Sequence, residues 1–161
     1  IRGKSWRILF HFRSRSKPAM KSFNRLLLLP ILLYVATSSL ALAGQVEDIQ
    51  AELNQSRQQT MAMLSEVEPG VLEMRYADAL VSSKEVDASL QRALADPALQ
   101  AQHGSLEAFK QIWDVFKTTR DQEIVPLLMA GKQDQARALA QKVQAGRLKQ
   151  MNDLLDDARS N

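Results

Sequence analysis

The chain has 161 residues, of which 45% are hydrophobic, and a formal net charge of +3 from 21 basic and 18 acidic residues. The first 43 residues hold eight Lys or Arg and no acidic residue. Residues 44–161 therefore hold 13 basic and 18 acidic side chains, a net charge of −5. A domain with this charge has no electrostatic basis for binding nucleic acid, so no nucleic-acid partner is expected.

Residue types that carry catalysis or bind metals are scarce. The sequence has no cysteine, which excludes disulfides, thiolate zinc sites and covalent haem attachment through C-x-x-C-H. Residues 44–161 contain one histidine, His103, and none of the Walker, H-E-x-x-H or G-x-S-x-G motifs. We therefore expect no catalytic residue, no metal site and no cofactor, and we expect that the protein is not an enzyme.

Segment 20–43 has the pattern of a signal peptide. It begins at Met20 with a short basic region, continues with an apolar stretch at 26–35 and ends in the sequence A-L-A at 41–43. This arrangement predicts export and cleavage after Ala43. We expect a periplasmic protein that touches the membrane only if the signal peptide stays uncleaved.

Residues 1–19 precede the first methionine. They are basic, with Trp6, Phe10 and Phe12 between the charges. We expect an upstream, non-native extension, and the alternative is a basic patch for nucleic acid or lipid. The remaining residues, 44–161, are long enough for one domain with its own core.

Four helical patterns follow within this domain, and no strand-like alternation of apolar and polar residues occurs. Apolar residues recur at steps of three and four, which is typical of amphipathic helices. The predicted helices cover residues 46–67, 71–95, 106–130 and 133–158. Short links, among them Gly131-Lys132, make consecutive helices antiparallel neighbours. The sequence therefore predicts an all-α fold, an up-down-up-down antiparallel four-helix bundle after the N-terminal signal peptide.

Each predicted helix has one face that we expect to be buried. The residues on these faces are Val46, Ile49, Leu53, Ser56, Thr60, Met63 and Val67 in the first helix, Leu72, Tyr76, Ala79, Ser83, Val86, Leu90 and Ala93 in the second, Leu106, Phe109, Trp113, Phe116, Arg120, Glu123 or Ile124, and Leu127 in the third, and Ala136, Leu139, Val143, Arg147, Met151, Leu154 and Ala158 in the fourth. Steps of three and four predict packing at about 20° between helix axes.

A proline interrupts the third helix near its end. The sequence RDQEIVPLLMAGK at 120–132 places Pro126 about one turn before Gly131. Proline costs about 3 kcal/mol in a helix interior because it lacks the N–H and its ring crowds the preceding turn. We expect a kink that rolls Leu127, Leu128 and Met129 onto the end of the bundle. The alternative is a bistable position used in signalling.

Two arginines fall on faces that are otherwise apolar. Arg120 and Arg147 lie on the predicted buried faces of the third and fourth helices, and a buried guanidinium needs a partner. One interpretation is an internal ion pair of Arg120 with Glu123, Glu73 or Asp78. The other is that the arginines face a cavity or dimer seam and bind an anionic ligand, since a guanidinium forks onto carboxylates. The candidate ligand-binding residues are then Arg120, Arg147 and Trp113, with a small anionic molecule as the partner.

The C-terminal third resembles a known family. Residues 112–155 resemble the C-terminal helix pair of the four-helix-bundle sensor domain of methyl-accepting chemotaxis proteins. The shared pattern consists of Trp113, Arg120, Glu123-Ile124, Pro126, Ala130-Gly131, Ala136, Leu139, Arg147 and Met151. The resemblance implies a periplasmic module that transduces a signal by binding a small ligand and forms a homodimer through helix packing. Those receptors continue into a second membrane helix and a signalling part, so a free-standing protein and a receptor fragment both stay open.

A weaker resemblance involves the small periplasmic four-helix-bundle b-type cytochromes. The sequences VEDIQAELN at 46–54 and GKQDQARALAQKVQAGR at 131–147 are similar to that family. A Met on its first helix and a His on its fourth ligate haem, whereas this chain has Gln50 and Met151 at the corresponding positions. The alternatives to a sensor are therefore a cytochrome-like bundle that lacks the haem-ligating His, and a structural or chaperone-like helical protein.

Overall fold

The computed structural model describes the backbone of residues 29–160 and the side chains of residues 44–160. The predicted extension at 1–19 lies outside the described residues, and so does the predicted signal peptide up to residue 28. Residues 29–43 are described as helical backbone only, so cleavage after Ala43 stays a prediction. Across residues 44–160, the structure contains no helix that is both long enough and apolar enough to cross a membrane.

Four helices make up this part of the chain, and residues 29–160 contain no strand, which confirms the all-α prediction. Two of the helices are each interrupted by one π-helical turn. The bounds are α1 at Leu29–Ser65; α2 at Pro69–Ala95; a 3₁₀ turn at Pro97–Gln102; α3 as His103–Thr119, a π turn at Arg120–Ile124 and Val125–Met129; and α4 as Gln133–Leu139, a π turn at Ala140–Gln144 and Ala145–Ser160.

The link between α3 and α4 is a tight turn built on one glycine. Gly131 has φ of +69°, a left-handed conformation that other residues adopt only with strain. Its N–H donates to the carbonyl of Leu128 at 2.9 Å, and the N–H of Lys132 donates to the carbonyl of Leu127 at 2.8 Å. These two bonds form a Schellman motif, which satisfies carbonyls at the end of α3 and reverses the chain.

Two clusters of buried apolar side chains draw residues from all four helices. The first, which we call the aromatic cluster, consists of Val46, Ile49, Leu53, Val86, Leu90, Ala93, Leu99, Leu106, Phe109, Trp113, Phe116, Met151, Leu155 and Ala158. The second, which we call the aliphatic cluster, consists of Met63, Leu64, Leu72, Ala79, Ile124, Val125, Leu128, Ala136 and Ala140. Along α1 and α3 the aromatic cluster comes first, whereas along α2 and α4 the aliphatic cluster comes first.

A layer of polar side chains separates the two clusters on every helix. We call it the polar layer, and it consists of Ser56, Thr60, Ser83, Thr119, Arg120, Gln144 and Arg147; all are buried except Arg147, which is half-buried. Polar groups in such a position require hydrogen-bond partners. Each helix therefore crosses from one apolar cluster to the other through side chains that must be paired.

The predicted buried face of α1 is confirmed at six of its seven positions, from Val46 to Met63. The prediction that Val67 is buried is wrong, because α1 ends at Ser65 and Val67 lies in the link to α2, where it is 74% exposed. On α2 the predicted positions are buried except Tyr76, which is half-buried against the aliphatic cluster. Periodicity alone was therefore sufficient for these two uninterrupted helices.

The predicted faces of α3 and α4 shift by one residue near the π turns. In α3 the buried residues Phe116, Arg120, Ile124 and Leu128 follow one another at steps of four, and Leu127 is only half-buried. Met129, expected at the end of the core, is 44% exposed. In α4 the residues Ala140 and Gln144 of the π turn are buried, whereas the predicted Leu139 and Val143 are half-buried. Further along α4, Met151 and Ala158 are buried as predicted, and Leu155 is buried in place of Leu154. A π turn closes its hydrogen bonds over five residues, which lengthens the local repeat and moves the buried face.

Candidate functional site

Arg120 is the most deeply buried charge of the polar layer. Its side chain is 1% exposed, and its Nε donates to Oδ1 of Asp121 at 2.7 Å. Its Nη1 donates to Oγ of Ser83 at 2.6 Å and to the carbonyl of Ala79 at 3.4 Å. Arg120 therefore joins α3 to α2, while its charge is neutralised from within its own helix. Its ion-pair partner is Asp121, which differs from the three acidic partners considered from the sequence.

The predicted kink at Pro126 takes the form of the π turn that precedes it. The N–H of Val125 donates to the carbonyl of Arg120, five residues earlier. Pro126 is then the second residue of the following α-helical segment, a position where the missing N–H costs little. The wider turn thus accommodates the proline ring and brings both Arg120 and Ile124 onto the buried face.

A second set of bonds joins α3 to α4. The Nε2 of Gln144 donates to the carbonyl of Phe116 at 2.9 Å. The Nη1 of Arg147 donates to Oγ1 of Thr119 at 2.7 Å and to Oε1 of Gln144 at 3.2 Å. Gln144 is the last residue of the π turn in α4, where the N–H of Ala145 donates to the carbonyl of Ala140. Both π turns therefore lie beside the polar layer.

Trp113 lies apart from the two arginines, in the aromatic cluster. Its Nε1 donates to Oδ1 of Asp87 on α2 at 2.7 Å, and its ring stacks on Phe116 with centroids 5.5 Å apart. The Nζ of Lys117 lies 5.4 Å from the centre of the indole and donates to the same Asp87 at 2.7 Å. The structure thus brings Arg120 and Arg147 into one layer. Trp113 lies about 10 Å from Arg120 along the axis of α3, towards the N-terminus of that helix.

Tyr76 extends the polar layer along α2. Burial raises the pKa of the Tyr76 phenol, and the negative charge of Asp121 and a hydrogen bond with it raise that pKa further. The guanidinium of Arg120 acts in the opposite direction. The charges of Arg120 and Asp121 therefore both act on the pKa of Tyr76. In the sequence, only the place of Tyr76 on the predicted buried face of α2 pointed to such a contact.

A cavity of about 290 Å³ lies beside the polar layer, between α1 and α4. Its apolar walls are Met61 and Leu64 of α1, Phe116 of α3 and Leu148 of α4. Three of the five residues in the π turn of α4 also line it: Ala140, Gln141 and Gln144. The π turn of α4 is therefore at once a wall of the cavity and, through Gln144, part of the polar layer.

Two arginines flank this cavity, and its lining includes no acidic residue. Arg57 is exposed and has no hydrogen bond or ion pair with any residue in the described part of the chain. Arg137 is 46% exposed, its Nε donates to the carbonyl of Leu64 at 3.0 Å, and its Nη1 lies 3.7 Å from Asp134. The cavity thus combines an apolar interior with the unpaired positive charge of Arg57 and the weakly paired charge of Arg137.

Sequence reasoning missed Arg57 and Arg137. Both lie off the apolar faces of their helices, where a charged residue normally indicates nothing more than a solvated surface. The candidate residues chosen from the sequence, Arg120, Arg147 and Trp113, do not line this cavity. Their direct contact with a ligand stays a prediction. In the structure each of them donates a hydrogen bond to a neighbouring helix or to a residue of the polar layer.

The positions that correspond to haem ligands in the cytochrome resemblance lie elsewhere. Met151 is fully buried in the aromatic cluster. The Nε2 of Gln50 donates to Oδ1 of Asn152 at 2.9 Å. Neither residue lines the cavity between α1 and α4. Within residues 44–160, no group of three or more His, Cys, Asp or Glu side chains is placed to hold a metal ion.

No protein-family model, no curated protein and no solved structure matches the sequence. Function must therefore be inferred from the contacts of the chain itself. One place combines a cavity with the polar layer: the cavity between α1 and α4 meets the layer at Gln144.

Proposed function

We propose that residues 44–161 form an up-down-up-down antiparallel four-helix bundle that acts as an exported sensor module and binds a small anionic ligand. The alternating order of the two apolar clusters along successive helices supports this topology, since it requires each helix to run opposite to the one before it. The short links at 66–68 and 130–132 also favour it. The module is related in this proposal to chemoreceptor sensor domains and is not an enzyme.

The observation that carries the proposal is the cavity between α1 and α4. Its volume of 290 Å³ is close to the lower limit for small-molecule sites, which are mostly apolar and have a few polar groups that orient the ligand. Arg57 and Arg137 supply these groups, because a guanidinium binds carboxylate or phosphate through two parallel hydrogen bonds. A small anion is therefore the ligand that this lining fits.

Gln144 offers a route from the ligand to the rest of the bundle. It lines the cavity and also bonds to the carbonyl of Phe116 and to Arg147. The proposal requires a second arrangement of α4 against α3, and a ligand that binds one arrangement better through the π turn of α4 would shift the balance towards it. π turns are frequent at functional sites. Arg120 and Arg147 then hold the helices in register, and Trp113 anchors the aromatic cluster.

Periplasmic localisation and homodimer formation belong to the same proposal. Met74 and Val81 are more than half exposed and lie seven residues apart on α2. Residues at this spacing share a helix face, and we propose that this face of α2 packs against a second copy. Sedimentation equilibrium of the exported protein tests the dimer, and a mass equal to one chain would contradict it.

A thermal-shift screen of the exported protein against carboxylates, phosphates and amino acids tests the ligand proposal. A ligand at 100 times its Kd should raise Tm by about 10 °C, by mass action. The substitution Ala145→Leu places a larger side chain in the lining and should abolish this shift. The matched control is Ala138→Leu, at an exposed alanine of α4 outside the lining. A screen with no stabilising anion, or a shift that survives Ala145→Leu, would contradict the proposal.

A further inference from the structure

The cavity between α1 and α4 also indicates which class of anion it accepts. Arg57 and Arg137 provide positive charge at its edge, and none of its lining residues is acidic. An ammonium group in this site would lie beside two guanidiniums with no carboxylate in the lining to pair with, because Asp134 lies outside the lining and is fully exposed. An unpaired charge is costly to remove from water. The lining therefore favours an anion without an amino group over an amino acid.

The interior of the cavity is lined mainly by apolar side chains and therefore suits an apolar chain or ring. Met61, Leu64, Phe116 and Leu148 contribute thioether, aliphatic and aromatic surface, and methionine adapts its shape to different apolar partners. Thr60 lines the cavity too, but its hydroxyl already donates to the carbonyl of Ser56 at 3.0 Å. A small, strongly hydrated anion would leave these walls unfilled, whereas an apolar chain or ring would cover them.

The two arginines can accept such a ligand without losing a strong internal contact. Arg57 has no hydrogen bond or ion pair with any described residue. The Nε of Arg137 is held by the carbonyl of Leu64 at 3.0 Å, which orients the side chain, while its Nη1 is 3.7 Å from the fully exposed Asp134. An ion pair this exposed contributes little, so a carboxylate can replace it.

We propose that the ligand is a carboxylate with an apolar body and no ammonium group, held with its carboxylate at Arg57 and Arg137 and its body against Met61, Leu64, Phe116 and Leu148. This inference rests on the proposed function, because it names the ligand class of the same site. It excludes amino acids and cationic amphiphiles as ligands, and it makes affinity depend on the length of the apolar body.

Calorimetric titration of the exported protein with four eight-carbon probes tests this. Octanoate should bind, whereas octan-1-ol, octylammonium and 2-aminooctanoate should bind at least tenfold more weakly, because each lacks the carboxylate or adds an ammonium group. Hexanoate should bind about fifteenfold more weakly than octanoate, since it lacks two methylenes and each contributes roughly fourfold when buried. Equal affinity for octanoate and 2-aminooctanoate, or for octanoate and octan-1-ol, would overturn the inference.

Variants locate the binding. Arg57→Gln should weaken octanoate binding by about tenfold, the usual loss for a charge-assisted hydrogen bond. Lys84→Gln removes an exposed positive charge of α2 outside the lining and should leave the affinity unchanged. Ala145→Leu should prevent octanoate binding and Ala138→Leu should not. Unchanged binding in Arg57→Gln would overturn the inference.

The outcomes distinguish this inference from the proposed function. If an amino acid or a short hydrophilic anion stabilises the protein, and Ala145→Leu abolishes that effect while octanoate does not bind, the ligand class is wrong and the sensor proposal stands. If no anion of any class binds, both are wrong.

Discussion

The aromatic and aliphatic clusters lie on opposite sides of the polar layer and differ in how they are packed. The aromatic cluster contains Phe109, Trp113 and Phe116, and most of the largest fully buried side chains belong to it. The aliphatic cluster contains no aromatic residue among its nine buried members, and three of the nine are alanines. The core at one end of the described residues is therefore built from large side chains, and the core at the other end is built from smaller ones.

The two π turns are associated with the aliphatic cluster, whose buried side chains are smaller. Both π turns, at Arg120–Ile124 and Ala140–Gln144, connect the polar layer with the aliphatic cluster. The cavity lies where the two clusters meet, since its lining includes Leu64 and Ala140 of the aliphatic cluster and Phe116 of the aromatic cluster. Segments with fewer buried contacts open more readily, and responsive sites are drawn from such segments. The comparison thus predicts that the aromatic end contributes more to stability, and it places the proposed ligand response at the boundary between the two ends.

The largest expected effect comes from the same substitution made on either side of the polar layer. Leu53 and Leu64 are both buried on α1, in the aromatic and aliphatic clusters respectively. Leu53→Ala should lower the free energy of unfolding by about 4 kcal/mol, because it leaves a void in a closed core. Leu64→Ala should lower it by about 2 kcal/mol, because Leu64 already faces the cavity and has fewer packing contacts to lose. Urea unfolding measures both, and equal losses would remove the distinction between the two ends.

Removing Asp121 and removing Arg120 from their ion pair should lower the free energy of unfolding by different amounts. Arg120 is 1% exposed, whereas the side chain of Asp121 is 30% exposed. Asp121→Asn leaves a buried guanidinium without a counterion and should cost about 3 kcal/mol, whereas Arg120→Met leaves a carboxylate that water can reach and should cost about 1 kcal/mol. Urea unfolding at neutral pH gives both values. A larger loss in Arg120→Met would show that the guanidinium contributes mainly through its bonds to α2.

Regular and interrupted helices differ in how well the sequence predicts which residues are buried. On α1 the steps of three and four predicted the buried face from Val46 to Met63, because an uninterrupted helix keeps its period. On α3 the proline signalled an irregularity, but the sequence predicted a kink of the last turn where the structure has a π turn. On α4 no proline precedes the π turn at Ala140–Gln144, and nothing in the local sequence marks it.

The charged candidate residues predicted from the sequence and those of the proposed site are all arginines, but they lie in different places. An anion held by arginines was expected from Arg120 and Arg147, which occupy apolar faces. The cavity is flanked instead by Arg57 and Arg137, which lie off those faces and are brought together only by the packing of α1 against α4. A buried polar residue indicates that a partner is needed, but whether the protein or a ligand supplies that partner depends on the fold.

The smallest effect that sharpens the comparison is a pH dependence carried by Tyr76, which packs against the aliphatic cluster. Burial, and then the charge of Asp121, raise the pKa of Tyr76 above its ordinary value of 10.0. The folded state therefore keeps the phenol proton at a pH where the unfolded state releases it. The resulting stabilisation is complete below pH 10 and is lost as the pH rises through the raised pKa.

Tyr76→Phe should remove this dependence while changing little at pH 8. Tyr76 is the only tyrosine of residues 44–161, so phenolate absorbance reports its pKa directly in the exported protein. Urea midpoints of both proteins at pH 8 and above pH 10 isolate its contribution from that of the lysines, which titrate in both. Because the phenol senses Asp121, Asp121→Asn should also move its pKa back towards the ordinary value. A phenol that titrates at its ordinary pKa in the unsubstituted protein would mean that the aliphatic end is open to water even without a ligand.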